Sequence, residues 1–149
     1  MIFIASDHAG FELKREVCKH LKEKGIKFED LGPKILKQSD DYPDFALPLA
    51  EKVVSQPDSL GILTCRNGIG ISIAANKVKG ARAGLCTFVG QAVTARAHNN
   101  CNILVLAADF VEPEKNWEII NVFLKGKFTE EKRHKRRLKK IADYERGKK

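Results

Sequence analysis

The chain predicts an α/β fold: a Rossmann-like three-layer sandwich with a five-stranded parallel sheet between two layers of helices. Three observations predict it. β-rich runs alternate with helix-length segments from one end of the 149 residues to the other. The later runs, Leu60 to Cys65 and Asn102 to Ala107, are nearly all apolar, as strands covered on both faces are. Glycine and proline punctuate the joints, at Gly25, Gly32-Pro33 and Glu112-Pro113. Hydrophobic residues make up 43% of the chain, which fits a packed core and not disorder. No repeat or linker interrupts the pattern, so residues 1–149 read as a single domain.

In order, Ile2 to Ser6 is the first strand and ends in Asp7-His8-Ala9-Gly10. Phe11 to Glu23 is a helix, because Phe11, Leu13, Val17, Cys18 and Leu21 share one side and Gly25 stops it. Ile26 to Leu31 is the second strand. Lys34 to Asp41 is polar and loop-like, leading through Asp41-Tyr42-Pro43 to a helix from about Asp44 to Val54. Leu60 to Cys65 is the third strand. A short helix, Ser72 to Lys77, separates it from a fourth, Gly80 to Cys86. Phe88 to Ala97 is a helix that delivers His98-Asn99-Asn100, and Asn102 to Ala107 is the fifth strand. Pro113, at a position helices tolerate, starts a helix to about Leu124, and a last one runs from about Glu130 to Glu145.

Composition narrows the function classes. No run has the length of a membrane span. The first residues reach Asp7 with no basic stretch before it, unlike a signal peptide. Cys18, Cys65, Cys86 and Cys101 form no Cys-x-x-Cys pair and no zinc spacing, so a reduced cytoplasm is the expected location and no metal is expected. Much of the formal charge of +8 sits between Lys132 and Lys140. That run lacks interleaved aromatics for stacking on bases. It reads better as a terminal helix with Leu138 and Ile141 against the body and a few cations available to a small phosphate.

The third strand leads into Cys65-Arg66-Asn67-Gly68-Ile69-Gly70-Ile71-Ser72. This is strand, glycine turn, helix start. Gly68 and Gly70 let the backbone take positive φ and approach a ligand closely. N–H groups from Asn67 to Gly70 can then face one hollow, where a helix start adds donors. Such a hollow stabilises an anion and is expected to lower the pKa of the neighbouring thiol. Ile73 stands where a dinucleotide fingerprint would need its third glycine, and no Gly-x-x-x-x-Gly-Lys-Ser/Thr loop occurs. Ligands of such sheets bind beyond the carboxyl ends of the strands, where the strand order switches. A flavodoxin-like order makes the first and third strands neighbours and sets Asp7-His8 opposite Cys65 to Gly70. Asp7, His8, Cys65 and His98 all fall at element ends. Together they offer a thiol base, imidazoles, a carboxylate and an anion-binding turn, which is what proton transfer beside a carbonyl needs. A nucleophilic Cys–His hydrolase uses an overlapping set.

Ser6-Asp7-His8-Ala9-Gly10, Asp41-Tyr42-Pro43, Cys65-x-x-Gly68-Ile69-Gly70 through Lys77, His98-Asn99 and Arg133-His134-x-x-Arg137 together resemble the type B ribose-5-phosphate isomerases. That wider family includes galactose-6-phosphate isomerase subunits. The resemblance runs in order over essentially the whole chain. It implies an aldose–ketose isomerase interconverting ribose 5-phosphate and ribulose 5-phosphate through a cis-enediolate. It also implies a homodimer or homotetramer whose site is completed by a neighbouring chain, and no cofactor. By the same resemblance Cys65 is the base between C1 and C2, and His98 is the acid for ring opening. Asp7 and Asn99 hold hydroxyls, Tyr42 lines the sugar pocket, and His8, Arg133 and Arg137 hold the phosphate. Arg66, Asn67, Gly68, Ile69 and Gly70 form the anion hole. The alternatives are an isomerase of a six-carbon sugar phosphate and a basic nucleic-acid-binding protein. Three departures from the family's pattern stand out. Arg66-Asn67 replaces Gly followed by Ser or Thr, Asn100 replaces Asp, and Asp109 stands where many members carry a phosphate-binding arginine.

Overall fold

A computed structural model describes residues 1–148. Its strands are β1 (Ile2–Ser6), β2 (Phe28–Gly32), β3 (Leu60–Cys65), β4 (Ala83–Leu85) and β5 (Ile103–Ala107), all parallel, in the order β2-β1-β3-β5-β4. The helices are α1 (Phe11–Glu23), α2 (Pro43–Ser55), α3 (Ile69–Ala75), α4 (Val89–Ala97), α5 (Pro113–Lys125) and α6 (Lys132–Glu145). Side chains alternate across each strand, so the sheet builds two cores. Ile2, Ile4, Ile62, Leu104 and Leu106 meet α1, α4 and α5 on one face. Phe3, Ala5, Leu63, Cys65, Ile103 and Val105 meet α2 and α3 on the other. This is the three-layer arrangement expected.

Three elements differ from expectation for local reasons. The second strand starts at Phe28 rather than Ile26, because Ile26 closes α1. Gly25 takes φ +67°, Gly25 N–H donates to Lys22 O, and Ile26 N–H donates to Leu21 O, the paired bonds of a glycine C-cap. The fourth strand shrinks to Ala83–Leu85 because a side chain takes the backbone just before it: Asn102 Oδ1 accepts the Arg82 N–H. The third helix begins at Ile69, three residues earlier than expected, directly after Gly68 at φ +76°.

The strand order decides where the chemistry goes. β1 and β3 are neighbours as expected, but β5 lies between β3 and β4, unlike the flavodoxin-like order. Every residue of β5 is buried, whereas all three of β4 are half-buried, so the aliphatic strand takes the interior and the short one the edge. Among the described residues no helix is long and apolar enough to cross a membrane.

Candidate active site

The first cluster forms at the carboxyl edge of β1 and β3. Gly10 welds the β1–α1 turn to the end of β3. A Cβ there would lie 2.2 Å from Thr64 O, and Thr64 Oγ1 donates to Gly10 O at 2.8 Å. That contact brings Asp7 to Cys65. Asp7 Oδ1 accepts the Gly10 N–H at 2.8 Å and Oδ2 accepts the Cys65 thiol at 2.9 Å. Both residues are buried, and Asp7 faces the thiol rather than open space.

The thiol is not poised as the glycine turn suggested. Its pKa is pushed up to about 11, first by burial and then by the hydrogen bond and charge of Asp7. The backbone N–H groups of Gly68 and Arg66 pull it down, but less strongly. A carboxylate in contact outweighs two amide dipoles. Cys18 and Cys101 are likewise raised to about 11 and Cys86 to about 12, each chiefly by burial.

The rest of the turn frames this pair. Gly68 takes the positive φ that the sequence suggested; Gly70 is helical and is small for another reason, since a Cβ there would lie 2.7 Å from Tyr42 Cζ. Tyr42 therefore packs its ring over the turn from the start of α2. Asn67 Oδ1 accepts the Ile69 N–H at 3.0 Å, and exposed Arg66 pairs with Asp109 at 3.1 Å. Two departures from the family pattern thus meet in one ion pair. His8 is gripped by Asp40, whose Oδ1 accepts its backbone N–H at 2.8 Å and lies 2.7 Å from ring Nδ1.

His98, Asn99, Arg133 and Arg137 lie elsewhere. α4 runs antiparallel to the sheet and ends where β5 begins. Ile103, at the start of β5, pairs with Gly61, whereas Ala107 at its end pairs with Cys65. His98, the C-cap of α4, therefore sits at the opposite edge of the sheet from Cys65. The gap is a strand length, roughly 13–16 Å at about 3.3 Å per residue. Asp7-His8 and Cys65 share one edge, as the strand order suggested, but His98 does not join them within one chain, for this topological reason. A second cluster forms around His98. Its ring packs against that of His134 of α6, centroids 4.4 Å apart, and Thr129 donates from its backbone N–H and its hydroxyl to Ala97 O. Burial lowers the pKa of His134; Glu131 opposes this, and the charges of His98, Arg133 and Arg137 add to it, which places both arginines in the same field. Arg133 also pairs with Glu131 at 3.0 Å.

Asp40 is the contact residue that sequence reasoning missed; His134 stands in the tail motif without a role of its own. Asp40 lies in an aperiodic loop and its contact with His8 spans 32 residues, so no local signal marks it. Among the described residues no three His, Cys, Asp or Glu side chains gather as a metal ion would require. What the first cluster can do is hold one proton between a thiol and a carboxylate beside a turn of backbone donors.

The profile of the Ribose/Galactose Isomerase family matches residues 2–141. The chain belongs to that family. It is 48% identical over 147 residues to the Mycoplasma pneumoniae protein named "Probable ribose-5-phosphate isomerase B", covering 99% of this chain and 96% of the relative. A Mycoplasma genitalium ribose-5-phosphate isomerase B, solved with bound ribulose-5-phosphate, is 47% identical with a TM-score of 0.92, covering 97% of this chain and 95% of that one. A ribose 5-phosphate isomerase from Thermotoga maritima superposes with a TM-score of 0.91 at 45% identity, over 95% of this chain and 97% of that chain. The residues expected at the site thus lie here in two clusters on opposite edges of one sheet.

Proposed function

We propose that this family member interconverts ribose 5-phosphate and ribulose 5-phosphate, at sites built from the carboxyl-edge cluster of one chain and the His98 cluster of a second copy. The observation that carries this is the thiol–carboxylate pair, Cys65 with Asp7, beside the backbone donors of the 66–70 turn. The bound ribulose-5-phosphate in the 47% identical Mycoplasma genitalium relative supports the choice of sugar.

The thiol hydrogen passes to Asp7, and the thiolate removes the hydrogen on C2 of linear ribose 5-phosphate. The electron pair moves onto the carbonyl oxygen and gives the cis-enediolate, whose charge faces the turn's N–H groups. The C2 hydroxyl proton moves to O1 as the C2 carbonyl forms, Cys65 returns its hydrogen to C1, and Asp7 returns the other to sulfur, leaving both groups as they began. His98 of the second copy donates to the ring oxygen as the furanose opens, and Asn99 holds a hydroxyl. Arg133 and Arg137 meet the phosphate with His8, since planar guanidinium groups suit its oxygens. The reading needs no metal or organic cofactor and fits a cytoplasmic enzyme.

A second copy is required because one chain cannot bring its two clusters together. The surfaces support such a pairing. α6 buries only His134 of its fourteen residues, while Ile69, Ile73, Phe88, Val93, Ile141 and Tyr144 all expose large apolar groups. Charges along α6 pair locally, Lys135 with Glu130 and Lys139 with Asp143, which favours a solvated helix over a nucleic-acid surface. A twofold pairing would repeat the same composite site twice.

Complementation tests this. Cys65→Ala and His98→Asn homo-oligomers should each be inactive or nearly so on ribose 5-phosphate. Unfolded and refolded together in equal amounts, they should recover about a quarter of wild-type activity. Half the dimers are then mixed, and one of their two sites has both Cys65 and His98. No recovery would sink the composite site. A coupled assay with hexose 6-phosphates run beside ribose 5-phosphate tests the choice of sugar, and preference for a hexose would overturn it.

A further inference from the structure

We propose that Asp40 is a positioning residue of the phosphate subsite, holding the His8 ring charged and aimed at the substrate's phosphate. The assignment rests on His8 meeting that phosphate, as proposed above. One oxygen of Asp40 grips His8 twice, at its backbone N–H (2.8 Å) and at ring Nδ1 (2.7 Å). A carboxylate only accepts, so Nδ1 carries a hydrogen and Nε2 is the nitrogen left for a ligand. A phosphate dianion also only accepts. A ring between two such acceptors needs a hydrogen on each nitrogen, which makes it an imidazolium.

The surroundings suit this role. The Asp40 side chain is 8% exposed and that of His8 32%, so the carboxylate backs the ring from inside while the imidazole forms the accessible face. The second oxygen, Oδ2, is buried with no hydrogen-bond partner among the described residues. Asp40 thus commits its hydrogen bonding to His8 and not to its own loop. Asp7, the next carboxylate along, is turned to Cys65 and Gly10, leaving the ring to Asp40. The loop is tethered further back, where the buried Lys14 ammonium donates to Pro33 O at 2.7 Å. The grip on His8 holds the other end of that loop against the β1–α1 turn.

The test compares Asp40→Ala, Asp40→Asn and His8→Ala in steady-state kinetics with ribose 5-phosphate. Ring nitrogen-15 spectra are taken of wild type and Asp40→Asn at saturating substrate. Asp40→Ala should raise KM about tenfold, the difference between a charge-assisted and a neutral hydrogen bond, with kcat within about twofold. Asp40→Asn preserves the shape and still accepts from Nδ1 but brings no charge. It too should raise KM, and its His8 should show neutral-ring shifts where wild type shows both nitrogens at imidazolium positions. A His8→Ala variant with elevated KM beside Asp40 variants of unchanged KM would overturn the role of Asp40 and leave that of His8 standing. Unchanged KM in His8→Ala would overturn the phosphate role itself. A fall in kcat at constant KM, or imidazolium shifts persisting in Asp40→Asn, would also refute the assignment.

Discussion

Replacing Asp7 by asparagine separates two ways in which Cys65 can act as a base, because they predict opposite signs. With the thiol raised to about 11, only about one molecule in three thousand carries a thiolate at pH 7.5. If the reaction drew on that preformed thiolate, removing the neighbouring negative charge would help. The amide of the Asp7→Asn variant would keep the bond to Gly10, turn an N–H toward sulfur, and delete two of the three causes that raise the thiol. A contacting carboxylate is worth about one to three pKa units, so the thiolate population should grow at least about tenfold. If instead Asp7 receives the thiol hydrogen, the same change removes the acceptor and kcat should fall by about a hundredfold or more, the usual weight of a positioned acid–base group. The proposed mechanism predicts both results at once: a lower titration point and a slower enzyme. Peptide-resolved alkylation across pH reads the first. Cys18, Cys86 and Cys101 act as internal controls because burial, not Asp7, raises them. Initial rates with ribose 5-phosphate read the second. An Asp7→Asn enzyme within threefold of wild-type kcat, or faster, would refute the acceptor role.

Two further outcomes are expected. Arg137→Ala should raise KM for ribose 5-phosphate by about ten- to a hundredfold, since a charge-assisted bond to phosphate is worth about 1.5–3 kcal/mol; Lys140→Ala, further along the exposed face of α6, should stay within about twofold, and equal losses would mean a diffuse basic patch. Lys14, 2% exposed and bonded to Asp30 at 2.8 and 2.9 Å, should cost about 3 kcal/mol when replaced by Met, read by urea unfolding at pH 7. Burial works to raise the Asp30 carboxyl, but the Lys14 ammonium and the Gly32 N–H outweigh it and hold it below its ordinary value. The Lys14–Asp30 contribution is therefore present above about pH 4 and lost as pH falls through the depressed value, so wild type and Lys14→Met should converge in acid; a constant gap would refute the pair's role.

The layers were legible in the chain because apolar period and glycine punctuation are local signals. Leu60 to Cys65 and Asn102 to Ala107 each had to be buried on both faces. The insertion of β5 between β3 and β4 was not legible, because it depends on which of two strands better fills the interior. The five buried residues of β5 against the half-buried Ala83-Gly84-Leu85 settle that only once both are placed. The site divides in the same way. Residues at strand ends, Asp7 and Cys65, could be read together from topology. The direction of the thiol's shift could not, since the turn's dipoles and the Asp7 charge pull in opposite directions and only the folded geometry weighs them. Arg66 with Asp109 and His8 with Asp40 bridge 43 and 32 residues, and no periodicity reaches that far.

The division of the site follows from the parallel sheet itself. A residue ending a strand and a residue ending the helix before the next strand must lie on opposite edges, whatever their chemistry. Cys65 is of the first kind and His98 of the second, so no side-chain rearrangement within one copy brings them together. Their charges are also divided. The carboxyl edge gathers Asp7, Asp40 and Asp109 against His8 and Arg66, while the other cluster sets Arg133 and Arg137 beside His98 and His134. Opposite fields of this kind favour docking of the first surface on the second and disfavour either on itself. In the proposed pairing they also give the phosphate a site whose cations come largely from the second copy. Assembly and phosphate recognition then draw on the same arginines, and that pairing would make the tail of the chain part of the active site.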